Sequence, residues 1–533
     1  MAPSLIHSSL HAVLDGTEAK LDPTAYAVEH YRGIKYGKIF QRFAKAVLVD
    51  DWHGEKLDCS RFGYVFPIAL SSLQFRATDT DKSSHLQKHS PQCPQNNVDA
   101  GHLLRIPEIL DKDQEEVKQD EFECLNLNVS VPARTTSTKD LLPVLIWIHG
   151  ETLLTPNISI MSFPPAAHRC SDTTTLVQRS IEMGKPMIIV TFNYRLNIFG
   201  FGDGGEKNLA LKDQQLAIEW VVKHIAGFGG DKNNITLGGE SAGAVYAHAH
   251  LTSGSPVARG LLQSGSLYLS PPQPLEKGTS LISRLSASLL ERHNVSLSEA
   301  PVPILLQSLL ENNINPFWIQ QEPDLLGWEG RVNDVQELLI GDVEYESVIW
   351  RNGIETVSAT EIAATFDNEK LKSLYGVSPS RPTASRLAAL DFINDLRFAL
   401  PIEEISASRR SAGKATYQYV FDQVNPWQSS SRAHHGVDLI SLFGGYDLTF
   451  NPAAAAVAKS MQERWITFVN GKSPWNGDTR FAFGPHGKSG EITDEEFAAR
   501  RRVGHFGLLR EMDPVRLGGI FGGLAAGRIS LLN

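Results

Sequence analysis

Three observations predict an α/β fold built on a large, mostly parallel sheet. The stretches PVLIWIH (143–149) and PMIIVTFNY (186–194) are nearly continuous apolar runs. Strands read this way when helices cover both faces of the sheet and leave no side for polar residues. Between the second run and a third strand, NNITLGGES (233–241), lies LKDQQLAIEWVVKHIAGFGG (211–230). Its Leu216/Ala217, Trp220/Val221 and His224/Ile225 recur at three and four, which draws one apolar stripe on a helix that Gly227 and the following glycines stop. Strand, helix, strand in that order implies a right-handed crossover between parallel neighbours.

The remaining elements follow along the chain. GLLQSGS (260–266) and ESVIW (346–350) read as further strands. From about 268 to 335 the pattern turns helical and irregular, with LISRLSASLLERHN (281–294) and VPILLQSLLENN (302–313) as the clearest helices. No internal repeat or low-complexity tract divides the 533 residues, so the expectation is one domain, residues 1–533, with helical excursions from a continuous sheet. The late apolar run Leu517 to Gly527 lies between Arg516 and Arg528 and falls short of the ~20 residues that a bilayer requires. It reads as a packed C-terminal segment.

Composition removes several classes of function. A hydrophobic content of 42% with 21% charged residues is that of an ordinary globular protein. A net charge of -10 and the lack of any Lys/Arg block give no reason to bind nucleic acid. The opening MAPSLIHSSLHAVLDG has neither a basic n-region nor an apolar h-region, so a cytoplasmic setting is expected. Four cysteines (Cys59, Cys93, Cys124, Cys170) without a CxxC pair make neither a disulfide scaffold nor a zinc site. His248 and His250 sit two apart, on different faces of a helix, and His7 and His11 have no evident third ligand; no metal is expected.

The most informative stretch is NNITLGGESAGAVYAHA. Gly239-Glu240-Ser241-Ala242-Gly243 is G-x-S-x-G, set after a β-rich segment and before an alanine-rich helix. That is the context of a nucleophile elbow, where small residues flank a serine held on a strained strand-to-helix turn. The turn exposes the serine oxygen, and the helix start brings its dipole and the Ala242 N–H near developing negative charge. A serine at its free pKa is a poor nucleophile and needs a base, which in turn needs an orienting acid. In α/β-hydrolases these follow in the order Ser, Asp/Glu, His. Among seventeen histidines, spacing alone does not choose the base.

Longer motifs make that choice. YRGIKYG with QRF, then FECLNLNVSVP and TFNYRLNIFGF, lead into NLALKDQQLAIEWVVKHIAGFGGDKNNITLGGESAGA and RGLLQSGS. With these motifs in this order, the chain resembles the type-B carboxylesterase family, which includes cholinesterases and fungal lipases, over roughly residues 10 to 530. The resemblance implies an α/β-hydrolase fold with an eight-stranded core sheet and a gorge leading to the serine. It also supplies the partners. LLIGDVEYESVIW is similar to the family segment that carries the acid, which falls on Glu346, and AHHGVDLISLFGG is similar to the histidine loop, which makes His435 the base. Glu344, on the same face of a strand as Glu346, is the alternative acid, and His434 the alternative base. Cys93 and Cys124 match a family disulfide, although reduced thiols are the default in cytosol. Asn-x-Ser/Thr sites at Asn128, Asn157, Asn234 and Asn294 carry meaning only on secretion.

One segment departs from the family pattern. After the first central strand the family has a glycine run whose second and third members donate backbone N–H groups to the oxyanion. This chain has Gly150-Glu151-Thr152 there. Donation comes from backbone, yet glycine permits dihedrals and close approach that Glu and Thr resist. In one reading, the Glu151 and Ala242 N–H groups form a two-donor hole, and the loss of a donor costs about 10²–10³ in turnover. In another, a desolvated Glu151 carboxyl acts as acid or base for a lyase, cyclase or isomerase reaction. A third turns the Glu151 side chain away to a surface cation, and a non-catalytic binding protein is a further alternative. The leading expectation is a cofactor-free serine hydrolase that cleaves a carboxylic ester, lactone or thioester of a small molecule, in specialised metabolism.

Overall fold

The computed structural model describes residues 3–21, 24–60, 91–95, 100–107, 110, 118–133, 140–150, 172–314 and 317–529. Its centre is a sheet of eleven strands: β1 (Thr17–Ala19), β2 (Val28–Lys35), β3 (Asn126–Pro132), β4 (Leu142–Ile148), β5 (Ile188–Phe192), β6 (Gly230–Glu240), β7 (Arg259–Gln263), β8 (Glu337–Val343), β9 (Ala415–Phe421), β10 (Arg480–Phe483) and β11 (Ser489–Ile492). Across the sheet they run β11-β10-β9-β8-β7-β6-β4-β5-β3-β2-β1. The seven strands from β5 to β10 are mutually parallel, while β1, β2, β3 and β11 close the two ends antiparallel. The expected eight-stranded core is therefore extended at its margins.

The apolar runs become what their composition requires. Val144, Leu145, Ile146 and Ile148 of β4 and every residue of β5 are buried, because helices cover both faces. The helix α1 (Leu209–His224) buries Ala217, Trp220, Val221 and His224, the stripe read from spacing. Following it along the chain, α2 (Ala242–Thr252) leaves the end of β6 and is buried at all eleven positions. The excursions are α3 (Leu275–His293) and α4 (Val302–Glu311). A long helical stretch comprises α5 (Pro382–Asn394), a single π-turn over Asp395–Ala399, and α6 (Leu400–Ser411). A short α7 (Val437–Phe443) follows the histidine loop, and α8 (Pro514–Ala525) is the packed C-terminal segment. Among the described residues no helix is long and apolar enough to cross a membrane.

One expectation fails. ESVIW is not a strand: Glu346–Trp350 is a 3-10 helix, and the strand is the preceding Glu337–Val343. After Val343 the chain leaves the sheet, with the Glu344 N–H donating to the Phe421 carbonyl and the Tyr345 N–H to that of Ala433. Val348, Ile349 and Trp350 still bury their side chains, so their strand-like composition records core packing rather than extended backbone. Of the two states open to Cys93 and Cys124, the family bridge and reduced thiols, the structure has the thiols. The Cys124 thiol donates to the Glu121 carbonyl at 3.6 Å, while the Cys93 sulfur accepts the Leu196 N–H at 3.2 Å.

Candidate functional site

The end of β6 delivers Ser241 in a conformation few serines adopt, with φ 56° and ψ −123°. Such a conformation costs about 1–3 kcal/mol and persists only where the surroundings impose it. Here the Ser241 N–H donates to the Gln263 carbonyl at 3.0 Å, and α2 begins at the next residue. The helix start packs directly on the end of β4. A Cβ at Gly243 would lie 2.1 Å from the Ile148 carbonyl oxygen and 3.0 Å from that of His149, so glycine is required at this contact. The same approach brings the His149-Gly150 segment against the nucleophile turn. His149 is fixed by a stacked Tyr194 ring at 4.6 Å, by its Nδ1–H donating to the Gly150 carbonyl, and by the Tyr194 hydroxyl on its own carbonyl. Burial pulls the His149 imidazole down to about 4, so it is neutral.

The three residues expected to act together do meet. Ser241 Oγ lies 2.8 Å from His435 Nε2, and His435 Nδ1–H donates to Glu346 Oε2. Glu346 is fully buried; its Oε1 accepts the Val343 N–H at 2.9 Å, and its own N–H donates to Asn394 Oδ1 at 2.8 Å. The base and the acid loop are also tied by backbone, the His435 N–H donating to the Tyr345 carbonyl at 3.2 Å.

Both alternatives are engaged elsewhere. Glu344 Oε1 accepts two hydrogen bonds from Arg432, at 2.7 and 3.1 Å, because the chain has turned out of strand geometry and no longer presents residues 344 and 346 on one face. His434 donates from Nδ1 to the His435 carbonyl and accepts from Asn425 Nδ2 at Nε2, which fixes a neutral tautomer that burial holds at about 4. His248 and His250 take unrelated partners, the Leu267 N–H and the Gln214 side chain. Among the described residues no group of three His, Cys, Asp or Glu side chains could hold a metal ion. Glu151, Thr152 and Cys170 lie outside the described residues.

Sequence reasoning missed part of the electrostatics. In the sequence Glu240 reads only as part of the elbow, yet its Oε1 lies 3.4 Å from His435 Nε2 in a wholly buried setting. Among the described residues neither of its oxygens has a hydrogen-bond partner. Burial pushes this carboxyl up to about 8, against the pull of His435. Asp438, in the first turn of α7, is likewise pushed up to about 7, by burial and then by Glu346. His435 feels all three acids. Burial disfavours its imidazolium, but Glu240, Glu346 and Asp438 outweigh that penalty and raise it to about 9. The signal for Asp438 was its place three residues after His435 at a helix start, and for Glu240 its adjacency to Ser241. For Asn394, 48 residues from Glu346, the sequence carries no signal.

Comparison with known proteins gives the family of the chain. The Carboxylesterase family model matches residues 4–272 and 341–493. Lipase 3 of Yarrowia lipolytica is 26% identical over 506 residues, covering 91% of this chain and 93% of that lipase. A shorter match, 41% identical over 152 residues, is to the inactive carboxylesterase-like protein VdtD of Byssochlamys spectabilis, covering 27% of this chain and 24% of that one. Among solved structures, a PNB esterase superposes with a TM-score of 0.64 at 20% identity, over 94% of this chain and all of that one, which is a likeness of fold. With the model matched across most of its length, the chain belongs to the carboxylesterase family.

Proposed function

We propose that the protein is a serine hydrolase that cleaves a carboxylic ester, lactone or thioester of a small molecule. The observation that carries this reading is the continuous line from Ser241 Oγ through His435 to Glu346, with the serine held at positive φ at a helix start. In the form with a neutral His435, the Ser241 hydroxyl donates a hydrogen bond to His435 Nε2. As the oxygen attacks the carbonyl carbon, His435 takes the proton and Glu346 stabilises the imidazolium. Collapse of the tetrahedral intermediate expels the alcohol or thiol, which receives the proton from Nε2. Water then attacks the acyl-serine by the same route in reverse. The Ala242 N–H, at the start of α2, is the oxyanion donor on the nucleophile side; the Gly150-Glu151-Thr152 backbone is the expected source of the other. With side chains at both family glycine positions, slow turnover on a dedicated substrate, as in specialised metabolism, fits better than bulk lipid digestion.

A second reading, a non-catalytic binding protein, has one specific support, the 41% identity over 27% of this chain to a protein described as an inactive carboxylesterase-like protein. A fluorophosphonate probe separates the two. Labelling of the wild type, lost in Ser241→Ala, supports the hydrolase. Intact wild-type protein that takes no label would sink it. Gain of p-nitrophenyl ester hydrolysis in Glu151→Gly, with loss of a native reaction, would favour instead the lyase, cyclase or isomerase reaction with Glu151 as acid or base.

A further inference from the structure

Glu346 is the first residue of the 3-10 helix Glu346–Trp350, and a helix start leaves backbone N–H groups without intrahelical acceptors. An N-cap side chain ordinarily takes them, but Tyr345 in that position makes no such bond. Their acceptor comes from elsewhere in the chain. From the last residue of α5, Asn394 Oδ1 accepts the Glu346 N–H at 2.8 Å and the Ser347 N–H at 3.3 Å. All three residues are buried, Asn394 at 2% exposure. Two N–H groups aimed at one atom admit only an oxygen there, so the amide has one orientation.

The cap bears directly on the geometry of the acid. Glu346 Oε1 accepts the Val343 N–H, and Oε2 accepts the His435 Nδ1–H. With its carboxylate tied to both, Glu346 reaches His435 only while its own backbone stays in place, and Asn394 holds the N–H of that backbone. The same helix end also touches the base. It runs into the π-turn Asp395–Ala399, a wide turn of a kind often found at functional positions, from which the Phe398 ring lies edge-on to that of His435 at 5.8 Å. The turn is itself anchored, because the buried Asp395 carboxylate accepts the Tyr375 hydroxyl at 2.9 Å and Arg502 Nε at 3.0 Å. One anchored segment therefore bears on acid and base together, through Asn394 and Phe398.

We propose that Asn394 is a positioning residue for the catalytic acid: its side-chain oxygen caps the 3-10 helix from 48 residues away and so holds Glu346 within hydrogen-bonding range of His435. This rests on the hydrolase reading, so the first readout is independent of turnover. In full-length protein carrying isotopically labelled histidine, the His435 Nδ1 proton held by Glu346 gives a far-downfield NMR resonance. The ring titrates as a base raised by Glu240 at the end of β6, Glu346, and Asp438 in α7. Asn394→Leu keeps the volume and removes the acceptor. The resonance should be lost or move upfield, and the His435 pKa should fall by ~1 unit. Fluorophosphonate labelling of Ser241 at its optimal pH should slow ~10²-fold, the scale of a ~1 Å misplacement. Asn394→Asp, whose carboxyl keeps an oxygen in place, should retain the resonance and recover most of the labelling. Asp213→Asn, which removes the buried partner of Arg195 in other elements, should leave the His435 pKa where it is, and so separates positioning from a general loss of stability. A folded Asn394→Leu protein with the native resonance and native His435 pKa overturns the proposal, as does a wild type without the resonance at any pH. Loss of the resonance in Asn394→Asp also overturns it, and that variant decides if the Leu variant does not fold. If the wild type takes no fluorophosphonate label but the resonance responds to Asn394 as described, hydrolysis fails and the positioning role stands.

Discussion

Glu240→Gln tests the electrostatics around the proposed base. Gln keeps the volume of the buried side chain and removes its charge. In the native protein Glu240 Oε1 lies 3.4 Å from His435 Nε2, and at an effective dielectric constant of about 20 a unit charge pair at that separation is worth roughly 5 kcal/mol, or ~3–4 pKa units. That is a ceiling, because burial holds the Glu240 carboxyl up at about 8 and it carries its charge only part of the time near neutrality. A shift of ~1 unit in the base is the working expectation. The sign follows from the chemistry. Ser241 is activated only by neutral imidazole, so the rate climbs as pH rises through the His435 pKa, which the three acids raise to about 9. Removal of one acid lowers that pKa and moves the climb to lower pH. The assay is the second-order rate of fluorophosphonate labelling of Ser241 from about pH 5 to about pH 10, which reports the free enzyme and requires no known substrate. A Glu240→Gln profile superimposable on the wild type, or displaced to higher pH, would refute the claim that Glu240 sets the proton affinity of His435.

Two further predictions concern what positions the site. Gly243→Ala forces a methyl group to 2.1 Å from the Ile148 carbonyl oxygen, so α2 and the end of β4 must separate. Fluorophosphonate labelling should fall ~100-fold or more, with about 1–3 kcal/mol of stability lost, and labelling at the native rate would show that the close approach is dispensable. Asp213→Asn leaves Arg195, whose side chain is 2% exposed, without its bidentate acid and should cost about 3–5 kcal/mol in denaturant unfolding. By contrast, Glu404→Gln breaks an ion pair with Arg510 at 44% and 51% exposure and should cost under ~1 kcal/mol. Similar losses in the two variants would contradict the burial argument.

The sequence by itself determined the features that rest on local periodicity and on short contiguous motifs. Long continuous apolar runs read as strands covered on both sides, and β4 and β5 are such strands. The three-and-four stripe of α1 and the G-x-S-x-G turn are likewise patterns of neighbours in the chain, legible because backbone geometry fixes their spacing. The resemblance to a family then carried two of the partners across long gaps. Tertiary structure decided what depends on burial and on distant contacts. Glu346 is the acid at His435 because the chain leaves β8 and coils into a 3-10 turn, which separates it from Glu344; composition alone had made that turn a strand. Asn394 reaches it across 48 residues, a contact that no local pattern announces. Glu240 is an ordinary acid in the sequence. It becomes a perturbing charge because the fold removes water from around it and sets it 3.4 Å from an imidazole, and desolvation is a property of the assembled core rather than of any stretch of chain.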